Sequence, residues 1–467
     1  MIWHIAKREI YDNLNSLRFA LATLLLVALM LTNAVLHLRE HPERIQRYRT
    51  SVTDYWNTLT SRTNLYALAQ EGPGLLYKKP SPLRFCAEGG EDFLSDMVDA
   101  SRFGWSSSSG LKGFWRLEYP SSAPNLQNIR SDAAKIDWGF IVGYVLSLIA
   151  ILFTFDSISG ERERGTLRLI LANSMPRHAV LIGKFLGVLV SIFIPFTLAV
   201  LINVFVISAS VDIHLPTEVW RRLSIIFFLA LLYTSLFIAV SLLVSARVRQ
   251  SAVSLVILLL AWVTFVVFSP GTLASIASRF SPAPMTTDDY RQRQSQLFDE
   301  ARAEEIRIEE IDPSMRMLAN GRLVIDDAER NEKLNEEHLT QQIAQVKFAR
   351  SIIRISPASL VQHLLESFAG TGFNRHLQFL ENVKRYARQY REFVTDTDRA
   401  DPDSLHAIGV SEGMSRKPVS PESIPRFEDS LSLGRDFDAA AIDLLLLALI
   451  VVVLALGAYL AFIRVQV

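Results

Sequence analysis

Across 467 residues, 48 Lys and Arg balance 48 Asp and Glu, so no global basic field points to a nucleic-acid partner. Half of the residues are hydrophobic, and they pool into blocks of about twenty, which excludes an ordinary soluble domain and indicates a polytopic membrane protein. The single cysteine, Cys86, excludes an internal disulfide and reads as a buried, inert thiol.

In chain order, residues 1–18 place Trp3, Ala6, Ile10, Leu14 and Leu17 at steps of three or four, on one helix face. Lys7 and Arg8 fall off that face, as expected of an amphipathic helix in the membrane interface, or else of a simple flank to the first span. The first span is expected over 19–38. Its long lead and full apolar run argue for a retained span rather than a cleaved signal peptide. Residues 39–136 form a first lobe, opened by Pro42, which should end the helix. This lobe is rich in breakers such as Gly72-Pro73-Gly74 and Pro80-Ser81-Pro82, so short helices (one over 59–70) and a hairpin are expected.

Four more spans follow over 137–155, 185–209, 223–244 and 252–269. Residues 270–436 read as a second, mainly helical lobe. Helices are expected over 288–310 and 327–353, then from Pro357 in a first turn to Ala369, and beyond the Gly370-Thr371-Gly372 break to about Val394. Residues 398–436 read as a loose return to a last span over 439–463. The expected fold is an all-α polytopic membrane protein with six transmembrane helices, a charged segment over 156–184 on one face and two lobes on the other.

Charge near the span ends sets the orientation. Eleven basic residues lie on the side of the termini: Lys7, Arg8, Arg18, Arg162, Arg164, Arg168, Arg177, Lys184, Arg247, Arg249 and Arg464. The short opposite loop holds only Arg221 and Arg222, which are expected to snorkel at the interface. Both termini are therefore expected in the cytoplasm, with both lobes outside.

Catalytic signatures are missing. Gly183-Lys184 is followed by Phe185 and lacks the upstream glycine of a phosphate-binding loop, and there is no H-E-x-x-H, paired-cysteine or G-x-S-x-G pattern. The chain is not expected to be an enzyme, nor to bind a cofactor directly. His37 and His41 share a helix face and are weak metal-ligand candidates, the alternative being two interfacial histidines. Asn203 and Pro195 lie deep in the third span, as a polar contact and a kink. They suit helix packing or a pathway. Asp443 and Lys184, close to span ends, are expected to need no special role.

The most informative stretch is Ser159-Gly160-Glu161-Arg162-Glu163-Arg164-Gly165-Thr166-Leu167. Its glycines allow close approach or a sharp entry, Glu161 and Arg164 are i,i+3 neighbours, and Leu167, Ile170 and Leu171 form an apolar ridge suited to a partner's groove. An amphipathic linker resting on the bilayer is the alternative. With Pro176-Arg177 and Gly183-Lys184, the stretch resembles the signature of ABC-2 type transporter permeases. The resemblance extends to Lys79-Pro80-Ser81-Pro82-Leu83 and to Ser356-Pro357 through Ala369-Gly370-Thr371-Gly372, which are similar to a bacterial subgroup with a large extracytoplasmic domain of unknown function. Asn173-Ser174-Met175-Pro176-Arg177 departs from the family's usual Pro-spacer-Ser-Arg order, which leaves the end of the helix open.

The resemblance implies an inner-membrane permease, an exporter whose cytoplasmic coupling helix docks on a separate ABC ATPase subunit that binds ATP and magnesium. It also implies a homodimer or a heterodimer with a paralogous permease in the lipid bilayer. A second reading is mechanotransmission, in which the outer lobes control a periplasmic partner and nothing crosses the membrane. A membrane-bound enzyme is the third.

Overall fold

The computed structural model describes residues 2–89, 94–107, 110–118, 136–168, 176–210, 216–281, 285–310 and 312–464. Among the described residues, six helices are long and apolar enough to cross a membrane. They are α2 (Leu17–Ser61), α4 (Trp138–Glu163), α5 (Arg177–Ser208), α6 (Thr217–Arg247), α7 (Ser251–Phe280) and α12 (Leu433–Ile463). They pack around a core that includes Leu26, Ile141, Phe196, Tyr233 and Leu447. α1 (Ile2–Leu14) is amphipathic and lies against the start of α5. It can seat there because Gly183 and Gly187 have no side chain. A Cβ on Gly187 would come within 2.6 Å of the Glu9 Cβ, and one on Gly183 within 2.8 Å of the Ile5 Cβ.

α2 starts with Ser16 accepting the Phe19 N–H at 3.2 Å. Pro42 does not end it. The helix runs through to Ser61, because the residues beyond Pro42 have their own packing to make. Leu59 is fully buried and the Tyr55 hydroxyl meets that of Tyr386 at 2.8 Å. At 45 residues α2 is about 68 Å long, roughly twice what a bilayer core needs. α7 likewise runs on past residue 269 to Phe280, with a π-helical stretch at Val263–Phe268.

The two segments expected as separate lobes form one domain. The first contributes α3 (Leu65–Glu71) and two antiparallel strand pairs, β1 (Gly74–Tyr77) with β2 (Met97–Ala100) and β3 (Arg102–Ser107) with β4 (Gly110–Trp115). The second contributes α8 (Thr287–Glu309), opened by a Thr286/Asp289 capping box, α9 (Pro313–Ile353), α10 (Pro357–Ala369) and α11 (Gly372–Arg399). Leu65, Leu68, Leu76, Val98 and Trp115 of the first share a core with Val324, Phe379, Val383 and Tyr390 of the second. Period and composition report local structure only and carry no signal for this long-range pairing.

The return over 400–432 is pinned rather than loose. Asp429 pairs with Arg375 and accepts from Asn382 at 2.9 Å, and Leu65 N–H donates to the Lys417 carbonyl at 3.2 Å. α10 has Pro357 in its first turn and Gly370 in the left-handed region at its end, φ 66°. It is buried along almost its whole length, wedged between the domain and the ends of α4, α6, α7 and α12.

Candidate coupling site

At the end of the bundle away from the domain, α4 loosens over 155–158 and turns into a short helix, Ser159–Glu163. This elbow is held on every side. Ser245, near the end of α6, accepts the Ile158 and Ser159 N–H groups at 3.1 and 2.9 Å and meets the Ser159 hydroxyl at 3.1 Å. Glu161 accepts from Lys184 Nζ of α5 at 2.8 Å, and the same ammonium bonds Glu9 of α1. Lys184 is 3% exposed, so two carboxylates share one buried cation, and three elements are joined at one point. Glu163 accepts the Ser251 N–H at 3.1 Å and the Ser251 hydroxyl at 2.7 Å, placing a carboxylate at the first turn of α7. Asp156 pairs with Arg18 of α2 at 3.2 Å. Beyond the elbow, Arg177 donates to the last carbonyls of α12, Phe462 at 3.4 Å and Ile463.

The expected docking residues divide between two faces. Gly160 is buried, Glu161 faces Lys184, and Leu167 is 1% exposed within the bundle core, so neither Glu161 nor Leu167 forms part of an outward ridge. Arg162 is half-buried. Glu163, Arg164, Gly165 and Thr166 are exposed, as is Arg168. Arg164 Nε bonds the Gly160 carbonyl at 3.1 Å and Thr166 bonds the Glu161 carbonyl at 3.2 Å, closing a turn in which Gly165 takes φ 73°. Ile170 and Leu171, like residues 173–175, lie outside the described residues.

The chain matches the sequence profile of the ABC-2 family transporter proteins over residues 3–466. It belongs to that family. Two relatives are each named "Probable ABC transporter permease protein NosY". The protein from Pseudomonas aeruginosa is 48% identical over 44 residues, and the one from Stutzerimonas stutzeri 46% over 44 residues. Each match covers 9% of this chain and 16% of the relative. The ABC-2 family protein described here is thus an ABC transporter membrane subunit, with spans to match.

The remaining predicted positions of this ABC-2 family protein are structural in their contacts. Asn203 of α5 donates to the Met30 carbonyl at 2.6 Å and to Asn33 Oδ1 at 2.9 Å. Asn33 in turn donates to the Phe85 and Ile136 carbonyls at 3.0 and 2.8 Å, tying two spans to the domain. Pro195 is buried within α5, which continues through it. His37 and His41 stack, ring centroids 4.7 Å apart, on a cavity of about 250 Å³ that Arg44 and Arg84 also line. Among the described residues no cluster of three metal-ligating side chains exists. Two stacked imidazoles beside two guanidinium groups make a poor cation site.

Sequence reasoning passed over three charged residues. Lys184 and Asp443 lie close to span ends, yet Lys184 joins the elbow to α1 and Asp443 pairs at 2.7 Å with Arg354, the residue just past α9. Arg222 does not snorkel. It is 3% exposed and pairs with Asp436 of α12 at 2.6 Å, while also donating to the Phe368 carbonyl at 3.3 Å. The available signal was an ionisable residue at the edge of an apolar run, a sign of a buried partner.

Proposed function

We propose that this protein is the permease subunit of a bacterial ABC-2 exporter. A separate ATPase subunit, carrying ATP and magnesium, would dock on the exposed tip Arg164–Thr166 and Arg168. The chain itself would catalyse nothing. The single observation that carries this reading is the clamping of the elbow to α1, α2, α5, α6 and α7. A push on its tip reaches five helices without first compressing a soft contact. The eleven basic residues at that end support a cytoplasmic location for the elbow and both termini, in the inner membrane, with the domain outside. Two such subunits, identical or paralogous, would pair in the bilayer.

Mechanotransmission is favoured by one further observation. α2 passes from the bundle into the domain core as one 45-residue helix, so motion of the first span is delivered to the domain directly. On this reading a periplasmic partner responds and nothing is transported.

Co-purification with a candidate ATPase subunit tests the docking. Arg164→Glu with Thr166→Arg should cut association and stimulated ATP hydrolysis at least about tenfold, the scale of a lost buried interface contact. Glu161→Ala should leave association near normal but lower the stimulated rate. Unchanged association and rate in the tip variant would sink the assignment.

A further inference from the structure

α7 is tied to different parts of the molecule on either side of its π-helical stretch. On the elbow side, Glu163 holds its first turn through Ser251, and Ser254 donates to the Phe155 carbonyl at 2.9 Å. Trp262 Nε1 donates to the Ser147 hydroxyl of α4 at 2.9 Å. On the domain side, Ala277 packs with Ala349 and Ile353 of α9. Between these ties lies Val263–Phe268, where Phe265, Val267 and Phe268 are exposed.

The sequence gives a reason for the π register. In an α-helix the Val266 carbonyl would accept from residue 270. That residue is proline, which has no N–H and whose ring clashes with the same carbonyl. A wider turn relieves the clash, and the Ser269 N–H reaches back five residues to the Thr264 carbonyl. In that register the next carbonyl, Phe265, faces position 270 and finds no backbone donor. Two hydroxyls supply what the backbone cannot. Ser269 Oγ of the same helix donates to the Phe265 carbonyl at 2.6 Å, and Ser356 Oγ donates to it at 3.0 Å. Ser356 is fully buried and stands one residue before α10, the helix wedged between domain and spans. Proline and π-helical turns are where helices bend. Here both coincide, between the part of α7 held to the elbow and the part held to the domain, and a hydroxyl from outside α7 closes the break.

We infer that residues 263–271 form a hinge in α7 and that Ser356 is its latch. With the Ser356 hydroxyl on the Phe265 carbonyl, α7 is one rod from the elbow to the domain. When Ser356 withdraws, the part beyond Pro270 swings independently of the part below Trp262. The domain then follows the bundle through α2, which enters it as one continuous α-helix. That α7 carries motion rests on the proposed coupling at the elbow; the hinge and its latch belong to the chain alone.

Double electron–electron resonance on the full chain in lipid nanodiscs provides the test, with spin labels at Val256→Cys and Ser278→Cys. Both positions are exposed, and Cys86 is fully buried and takes no label. A straight helix would set the two about 33 Å apart, and the latched hinge should give one narrow distance. Ser356→Ala removes a single oxygen and leaves the Phe265 carbonyl its Ser269 partner, so the fold should survive; the distribution should broaden or gain a second peak. Adding Pro270→Ala supplies the missing N–H and should narrow it again. Ser269→Ala, which spares the latch, should stay narrow. A native distribution that is already broad, a Ser356→Ala distribution as narrow as the native one, broadening that Pro270→Ala fails to reverse, or equal broadening by Ser269→Ala would each overturn the proposal. No ATPase takes part, so failure here would leave the docking reading standing.

Discussion

Arg222 in the second turn of α6 and Asp436 in the first turn of α12 form an ion pair that water scarcely reaches, at 3% and 1% exposure. Gln378 of α11 donates to the other carboxylate oxygen at 2.6 Å, so the pair also joins the bundle to the domain. Desolvating two charges offsets most of their attraction, and removing one partner strands the other. Asp436→Ala should therefore destabilise the protein by about 3–5 kcal/mol, whereas Arg222→Met with Asp436→Leu should recover most of that loss. Thermal unfolding in detergent measures both. Equal destabilisation by the single and the double variant would show that shape, not charge, holds this junction. The Lys184 node follows the same logic at the other end of the bundle, with one cation between Glu9 and Glu161.

Among the elements, α1 and α10 do the most with the least chain. α1 makes its seat through backbone proximity at Gly183 and Gly187, and Asn13 Nδ2 reaches Ser191 Oγ at 3.3 Å across the same contact. Gly187→Leu should lift α1 by forcing a side chain where Glu9 already stands, at a cost of about 1–3 kcal/mol. A disulfide between Asn13→Cys and Ser191→Cys reports the contact; its yield should fall severalfold when Gly187→Leu is added. An unchanged yield would mean that the helix shifts without leaving its groove. α10 is the opposite case. Its start at Pro357 and its stop at Gly370 were legible from residue type alone, because proline is preset for a first helical turn and glycine for a left-handed cap. Its burial between domain and spans was not, since its neighbours there come from residues far away in the chain.

For the whole molecule, the domain holds buried neutral histidines that set how it tolerates acid. Burial, with Lys78 and Arg375 nearby, pushes His376 down to about 3, and burial, with Arg350 and Arg354, pushes His363 well below its usual range. In the unfolded chain both take up a proton near pH 6.5. As pH falls below that value the unfolded state binds protons that the folded state refuses, and stability is lost down to about pH 3. Asp137 opposes this: burial raises it to about 6, so its own contribution falls as pH rises from 3.8 to about 6. By pH 4.5 His376 alone costs about 3 kcal/mol and Asp137 returns about 2, with His363 adding to the loss. The thermal midpoint should thus be higher at pH 7.5 than at pH 4.5, and His376→Gln should flatten that acid limb. A wild-type midpoint flat across the range would contradict the buried, neutral assignment.

The sequence by itself determined the six apolar helices, the position of the elbow between the second and third and the helical character of residues 287–399. These follow from apolar length, helix propensity and breaker residues, which act within a few turns of chain. The tertiary structure alone decided that α2 runs through Pro42 into the domain, that two polar segments share one core, and that Glu161 and Leu167 turn inward while Arg164 and Thr166 stay out. Each of those depends on a partner from another part of the chain, such as Tyr386 for Tyr55 or Lys184 for Glu161. A buried charge is tolerated only where its counter-charge meets it, and no local pattern records where that meeting occurs.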